Sequence, residues 1–271
     1  MLAAVSIEHE IFKDEFDWCL LVPEAQAGEA LAHLERYQLE NRPLLPPPES
    51  PPVIDAGWVG VFGYLVVIWM LPWLESIAAF GWDWRTVGRM EAGLVMEGQW
   101  WRTVTALTLH GDIAHLIANS LFGLLFGVFV GRYLGSGLGW LLILLAGAIG
   151  NGANALLRPE EFRSIGASTA TFAALSMGAA FMWRRRYFQG RDWRRNFAPI
   201  FAGIALLAYT GMGGGNTDVV AHLTGFAAGI AFGLLVAKVN VQRLGVIGQQ
   251  LCGLGAVCLV VLAWMLAGSA R

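Results

Sequence analysis

An all-helical, polytopic membrane protein with a small N-terminal α/β head is the fold class this sequence predicts, and three observations carry it. Hydrophobic residues make up 56% of the 271 and charged residues only 14%, with a mean hydropathy of +0.55, well beyond an ordinary soluble domain. The apolar stretches are long and continuous instead of alternating every second residue, which selects helical spans over a barrel. Charge is unevenly placed: residues 1–56 hold eleven acids against three bases, Lys13, Arg36 and Arg42. A head that acidic does not suit nucleic acid or an anionic lipid surface as a partner.

The head occupies residues 1–45. Its run Trp18-Cys-Leu-Leu-Val22 is strand-like, and Pro23 and Glu24 open a helix with Leu31, Leu34 and Tyr37 on one face. So few residues make a thin core. Six of the ten prolines fall between residues 43 and 52, which predicts a stiff, extended linker, with 46–56 as the boundary segment. Met1–Val5 is apolar but lacks a basic leader and is followed by Glu8 and Glu10, unlike a cleaved signal peptide. Cys19, Cys252 and Cys258 are odd in number and form no CxxC, so they read as small apolar residues, neither a disulfide frame nor a metal site.

Beyond the linker the pattern predicts seven spans, at 57–78, 112–133, 137–157, 166–183, 198–213, 219–238 and 246–267. Between the first two lies Gly81–Arg102, which carries Trp82, Trp84, Trp100 and Trp101 with charges of both signs and is expected to lie in the interface. Arg184, Arg185, Arg186, Arg191, Arg194 and Arg195 crowd the short loop after the fourth span, which the positive-inside rule places in the cytoplasm. Counting outward puts the N-terminal head inside, the C-terminus outside, and Gly81–Arg102, Ser168 and Gly211–Asp218 on the outer side.

The chemistry centres on Ser164-Ile-Gly-Ala-Ser168-Thr-Ala-Thr-Phe172, which sets a hydroxyl at the mouth of an apolar helix made of small residues. Gly166 lets the chain enter the helix at an unusual angle, and free N–H groups of a first helical turn attract developing negative charge. That suits an acyl-transfer nucleophile. The same small residues would equally serve close helix packing in lipid. Ionisable groups in spans cost about 2.5–3.5 kcal/mol on insertion scales, so His110, Asp112, His115, Asp218 and His222, with Asn119, each ask for an explanation. All lie at the depth of Ser168. His115 and Asn119 share a helix face, whereas His110 and His115, five apart, do not, which argues against a two-histidine metal site. Asp218 lies one turn before His222 on the same face, but Thr217-Asp218 opens a span after Gly213-Gly-Gly-Asn216 and fits a helix cap.

On these residues the chain resembles the rhomboid family of intramembrane serine proteases, of the bacterial type, over residues 57–240. Gly166-Ala-Ser168 resembles the GxSG nucleophile motif, and Ala221-His222-Leu-Thr-Gly225-Phe-Ala-Ala-Gly229 the histidine motif of the sixth helix. Trp101-Arg102 resembles the tryptophan-arginine pair of the first loop, His115 with Asn119 the oxyanion-side HxxxN pair, and His110 a further histidine upstream. The resemblance implies a rhomboid-like six-helix core at 57–240, with 241–271 an appended seventh helix.

It also implies that Ser168 attacks the scissile carbonyl with His222 as general base, without a triad acid. The oxyanion would be held by the Ser168 N–H, His115 and Asn119. Phe172 stands where the family usually has a tyrosine that stacks on the histidine. Gly225 and Gly229 form a GxxxG face, and Gly166, Ala170, Ala174 and Gly178 a matching small face, for close approach of the fourth and sixth helices. Thr169 departs from the family's glycine after the nucleophile, and a β-branched residue there is expected to crowd the oxyanion side. The implied substrates are single-pass transmembrane proteins in the lipid bilayer of a bacterial inner membrane, cut near the outer face, with no cofactor and no metal. Two other classes compete. A catalytically inactive rhomboid-like helix binder has no need of both Ser168 and His222, and a transporter does not explain polar residues gathered at one depth without repeated halves.

Overall fold

The computed structural model describes residues 2–13, 18–41, 52–185 and 218–270. They fall into two compact units, residues 1–49 and 50–271. In the head, β1 (Glu10–Lys13) pairs antiparallel with β2 (Trp18–Leu21), Glu10 opposite Leu21, and a 3-10 turn at Glu24–Gln26 leads into α1 (Ala27–Glu40). The expected strand and helix are both present. The strand's partner, Glu10-Ile-Phe-Lys13, is too short to show in the sequence pattern. Three side chains, Leu2, Ile7 and Ala30, make the core, with Leu20 and Val22 against them. The helix face differs from the expectation: Ala30 is buried, whereas Leu31 and Tyr37 are 59% and 49% exposed. A two-stranded sheet is too narrow to cover the wider stripe.

The second unit is a helical bundle. Its order is α2 (Trp58–Ser76), the short α3 (Trp84–Gly88), β3 (Met90–Glu91), α4 (Ala92–Met96) and α5 (Arg102–Thr105), then α6 (Ile113–Leu134), α7 (Ser136–Leu157) and β4 (Arg163–Ser164). It continues with α8 (Ser168–Arg184), α9 (Val219–Val236) and α10 (Gly245–Ser269). Among the described residues five helices are long and apolar enough to cross a membrane: α2, α6, α7, α9 and Val241–Ser269, which includes α10. The protein is an integral membrane protein. The expected span at 198–213 and the arginines 186–195 lie outside the described residues.

The fourth expected span is α8, and its 17 residues make it about 26 Å long at 1.5 Å per residue. That is shorter than a hydrocarbon core of about 30 Å, so both ends of α8 cannot reach the surface. Fourteen of its residues are buried, against three each for α2 and α10. It is the central helix. Alanine, glycine, serine and threonine dominate it because neighbours press on every side, and α9 packs on it most extensively.

Two fastenings set the frame at the end of the bundle away from Ser168. Asp55 accepts from the N–H of Ser136 at 2.6 Å and from its hydroxyl at 3.0 Å, capping α7. The N–H of Ile54 donates to the Arg132 carbonyl at 2.7 Å. At the other end, the tryptophan-rich segment after α2 folds into the short helices α3 to α5 and does not cross the bundle. Its β3 pairs antiparallel with β4, Met90 opposite Ser164 and Glu91 opposite Arg163, so this segment lies beside the chain that enters α8.

Candidate active site

Ser168 is the first residue of α8 and is half-buried. Among the described residues no side chain caps this helix, so no capping oxygen from them occupies its first-turn N–H groups. Gly166 approaches with φ of 134°, a conformation that favours glycine. Its N–H donates to the Ala106 carbonyl at 2.9 Å. A Cβ at Gly166 would stand 2.6 Å from Cε1 and 2.7 Å from Nε2 of His115, and 3.8 Å from the Ser168 hydroxyl oxygen. The His115 ring and the Ser168 hydroxyl therefore face the same small space. Only glycine leaves it open.

The hydrogen bonds around His115 orient its ring. Asp112 caps α6 by accepting from the His115 N–H at 2.8 Å, which accounts for one polar residue singled out in the sequence. The Gly111 N–H points at His115 Nδ1, 3.4 Å away. With Nδ1 as the acceptor, the proton of a neutral ring sits on Nε2, the atom that faces Gly166 and Ser168. His110 is buried edge-on against His115 with ring centroids 5.2 Å apart. Asn119 is buried one turn along α6, where its amide donates to the His115 carbonyl at 3.0 Å, and the Tyr64 hydroxyl donates to its own carbonyl at 2.9 Å. One of the two amide N–H bonds of Asn119 is thus committed, and one is left.

His222 is buried in the first turns of α9, and its ring stacks on Phe172, centroids 4.5 Å apart and planes at 27°. Phe172 is one helical turn after Ser168, so α8 carries both the hydroxyl and the platform under the imidazole. Among the described residues Nδ1 of His222 has no hydrogen-bond partner, and no hydrogen bond joins His222 to Ser168. Catalytic hydrogen bonds are commonly long without substrate. Among the described residues no hydrogen bond joins the Asp218 carboxylate to the ring. One of its oxygens accepts from the Ala221 N–H at 3.1 Å and from Arg158 at 2.8 Å, and the other accepts from the Asn154 amide at 2.6 Å.

The α8–α9 contact explains the glycines. A Cβ on Gly225 would strike the Thr169 carbonyl, one on Gly229 the Ala173 carbonyl and the Ser176 hydroxyl, and one on Gly233 the Met177 carbonyl. The Ser176 hydroxyl also donates to the Phe226 carbonyl at 2.8 Å across this contact. The face that α8 turns to α9 is Thr169, Ala173 and Met177, not the expected Ala170, Ala174 and Gly178. Ala170 meets Gly147 of α7, and Gly178 meets Phe129 of α6. A shift of one residue rotates a helix face by about 100°, and a helix with small residues all round gives no pattern to resolve that shift.

Thr169 is 2% exposed, and its methyl lies 2.8 Å from where a Cβ would stand on Gly150 of α7 and on Gly225 of α9. It fills a notch between α7 and α9. In the first loop, Trp101 packs into the cluster around Leu71, Trp84 and Trp264. The buried Arg102 donates to the carbonyls of Thr86 at 3.2 Å and Arg89 at 2.8 Å, and to Gln99 at 2.6 Å. Burial pulls its guanidinium below the ordinary value, Glu91 opposing this and Arg89 adding to it. The pair shapes the loop beside the site. Sequence reasoning passed over Asn154, Arg158 and Thr108; two asparagines six and three residues before the end of an apolar span, Asn151 and Asn154, were the available signal.

Comparison with known proteins gives the family of the chain. The family model described as Rhomboid domain matches residues 97–239. The chain is 31% identical over 195 residues to Rhomboid protease GluP of Bacillus subtilis (strain 168), covering 70% of this chain and 34% of that protein. It is 28% identical over 149 residues to Putative rhomboid protease YdcA of the same organism, 55% of this chain and 73% of the other. Rhomboid-like protease 3 of Toxoplasma gondii is 32% identical over 136 residues, 49% of this chain and 50% of that one. The chain thus spans about a third of the length of GluP and most of that of YdcA. With more than half of its residues matched by the family model, the chain belongs to the rhomboid family.

Proposed function

We propose that this protein is an intramembrane serine endopeptidase that cuts transmembrane or juxtamembrane segments of membrane proteins with a Ser168–His222 dyad. The observation that carries the reading is the shared space at Gly166, where the His115 imidazole and the Ser168 hydroxyl meet while Phe172 holds His222 one turn away. The relatives named as rhomboid proteases support it.

In this reading Ser168 Oγ attacks the scissile carbonyl carbon as its proton passes to His222. The carbonyl oxygen becomes an oxyanion within reach of the Ser168 N–H, the Nε2–H of His115 and the remaining N–H of Asn119. Such preorganised donors are worth roughly 3–4 kcal/mol each. Collapse breaks the C–N bond, and His222 returns the proton to the leaving amine. Water then repeats the sequence on the acyl-enzyme and frees Ser168. His110, Trp101 and Arg102 support the first loop, and Gly225 and Gly229 permit the helix contact that brings α9 to α8.

The same reading places the head in the cytoplasm, the site towards the outer face of a bacterial inner membrane, and single-pass proteins as substrates. In a background without native cysteines, Glu97→Cys should react with an impermeant thiol reagent on intact cells while Gln242→Cys is protected; the reverse inverts the topology. For the chemistry, purified protein is incubated with a transmembrane reporter and with a fluorophosphonate. Wild type should cleave and label, and Ser168→Ala should do neither while inserting normally. Cleavage by Ser168→Ala at the wild-type rate refutes the nucleophile. A wild type that neither labels nor cleaves but retains the reporter is the inactive helix binder.

A further inference from the structure

The helix α10 lies beyond the matched region, which ends at residue 239. An apolar cleft of about 1380 Å³ is lined by α2 on one side and α10 on the other, so in the middle of the bundle α10 leans on α7 more than on α2. Its two ends are tied by polar contacts. Near its start, the Gln249 amide donates to the Leu134 carbonyl and accepts from the Leu138 N–H, both at 2.9 Å, across the turn between α6 and α7. Near its finish, Trp264 is 9% exposed, packed with Leu71, Leu109 and Trp84, its ring 4.9 Å from the Trp84 ring. Its indole N–H donates to the Thr108 hydroxyl at 3.2 Å.

That single bond enters a chain that leads to the candidate site. The Thr108 hydroxyl donates to the Thr105 carbonyl at 2.7 Å, and the Thr105 hydroxyl donates to the Gly88 carbonyl at 2.6 Å. Gly88 is held bare of a side chain by the Trp264 ring itself, whose Cζ3 would stand 2.8 Å from a Cβ there. Ala106, in the same turn, accepts the Gly166 N–H at 2.9 Å, two residues before Ser168. His110, two residues after Thr108, lies edge-on against His115. One turn of chain, Thr105–His110, therefore touches the approach to the nucleophile with one residue and the oxyanion-side ring with another.

We infer that Trp264 is a positioning residue of the active site: through its bond to Thr108 and its contact with Gly88, the appended helix holds the Thr105–His110 turn where it fixes Gly166 and His115. This rests on the serine-protease reading above. A helix outside the matched domain then sets the rate of acylation without touching substrate.

The test uses the full chain in detergent or liposomes and reads two quantities from fluorophosphonate labelling: the amplitude, which counts competent Ser168, and the rate constant, which reports how well each competent site is arranged. Loss of packing alone lowers the amplitude. Loss of positioning lowers the rate constant and the kcat for a transmembrane reporter, with KM little changed. Trp264→Phe, which keeps a ring and loses the N–H, and Thr108→Val should each slow labelling about fivefold, the scale of one buried hydrogen bond. The double variant should be no slower than Thr108→Val alone, because the bond that Trp264→Phe removes is already lost there. Trp264→Ala should slow it by more than about tenfold, and Leu251→Ala on the exposed face of α10 should change neither quantity. Wild-type rate constants in Trp264→Phe and Thr108→Val, whatever their amplitude, overturn the inference; these two variants decide it even if Trp264→Ala does not fold. An unlabelled wild type together with cleavage by Ser168→Ala would instead refute the serine reading.

Discussion

The ring of Phe172 lies under the ring of His222, 4.5 Å between centroids and 27° between planes, so the helix that begins with Ser168 also sets the height and tilt of that imidazole. An aromatic pair of this kind is worth about 0.5–1.5 kcal/mol beyond its buried area, which converts to roughly 2–10-fold in rate. Phe172→Leu, which keeps an apolar filler, should slow fluorophosphonate labelling by that factor. Phe172→Tyr should stay within about twofold. Equal rates for the leucine variant and wild type would mean that the stack does not position the base.

Gly166 combines φ of 134° with an imidazole where its Cβ would go. Gly166→Ala meets two costs at once, backbone strain of about 1–3 kcal/mol and displacement of His115. Both fall in the buried turn that enters α8 and not along a helix–helix contact. The expected result is a loss of reporter cleavage of at least about tenfold with a thermal midpoint lowered by only a few degrees. An alanine variant as active as wild type would show that His115 has no part in the chemistry.

Two helical glycines separate packing from propensity. Glycine to alanine in a helix gains up to about 1 kcal/mol where nothing is in the way. At Gly63 of α2 nothing lies within 4 Å of the added carbon, whereas at Gly229 it would strike the Ala173 backbone. Gly63→Ala should therefore match or exceed wild-type stability, and Gly229→Ala should lower the thermal midpoint and the active fraction together. Equal midpoints for the two variants would contradict the α8–α9 contact.

How much of this was legible beforehand follows from which residues carry a directional signal. The spans were readable because lipid imposes length and polarity on every one of them, and α2, α6, α7, α9 and α10 begin and end within a few residues of the expected limits. Ser168 and His222 stood out as polar residues in apolar surroundings. The facing of α8 did not, since Ala170 and Ala173 are alike in the sequence and only the neighbours distinguish them. Nor did the Trp264–Thr108 bond, which joins residues 156 apart and has no local pattern.

The buried methyl of Thr169 predicts a cost for its removal, where crowding of the oxyanion side would predict a gain. Thr169→Gly empties the notch between Gly150 and Gly225 and places a second glycine in the first turn of α8. The expected outcome is about 1–2 kcal/mol of lost stability and no gain in labelling rate constant. A faster rate constant in the glycine variant would revive crowding as the effect that matters.

The bonds of Asp218 bear on whether a carboxylate assists His222. Its oxygens are taken by Arg158 at 2.8 Å, the Ala221 N–H at 3.1 Å and Asn154 at 2.6 Å, while Nδ1 of His222 has no partner among the described residues. The carboxylate caps α9 and ties its first turn to the end of α7. That is a structural task, which fits the proposed dyad without an acid. Asp218→Asn can still cap, but its amide would set donors against Arg158 or Asn154. Breaking a fully buried ion pair costs about 3–5 kcal/mol; with Arg158 still 27% exposed, roughly 1–3 kcal/mol is expected here. Asp218→Asn should thus lower the thermal midpoint and keep the rate per labelled site within about tenfold of wild type, whereas His222→Ala should abolish cleavage. Loss of a triad carboxylate costs about 10⁴ in kcat. A loss of that size in Asp218→Asn, with its thermal midpoint unchanged, would make Asp218 part of the catalytic unit.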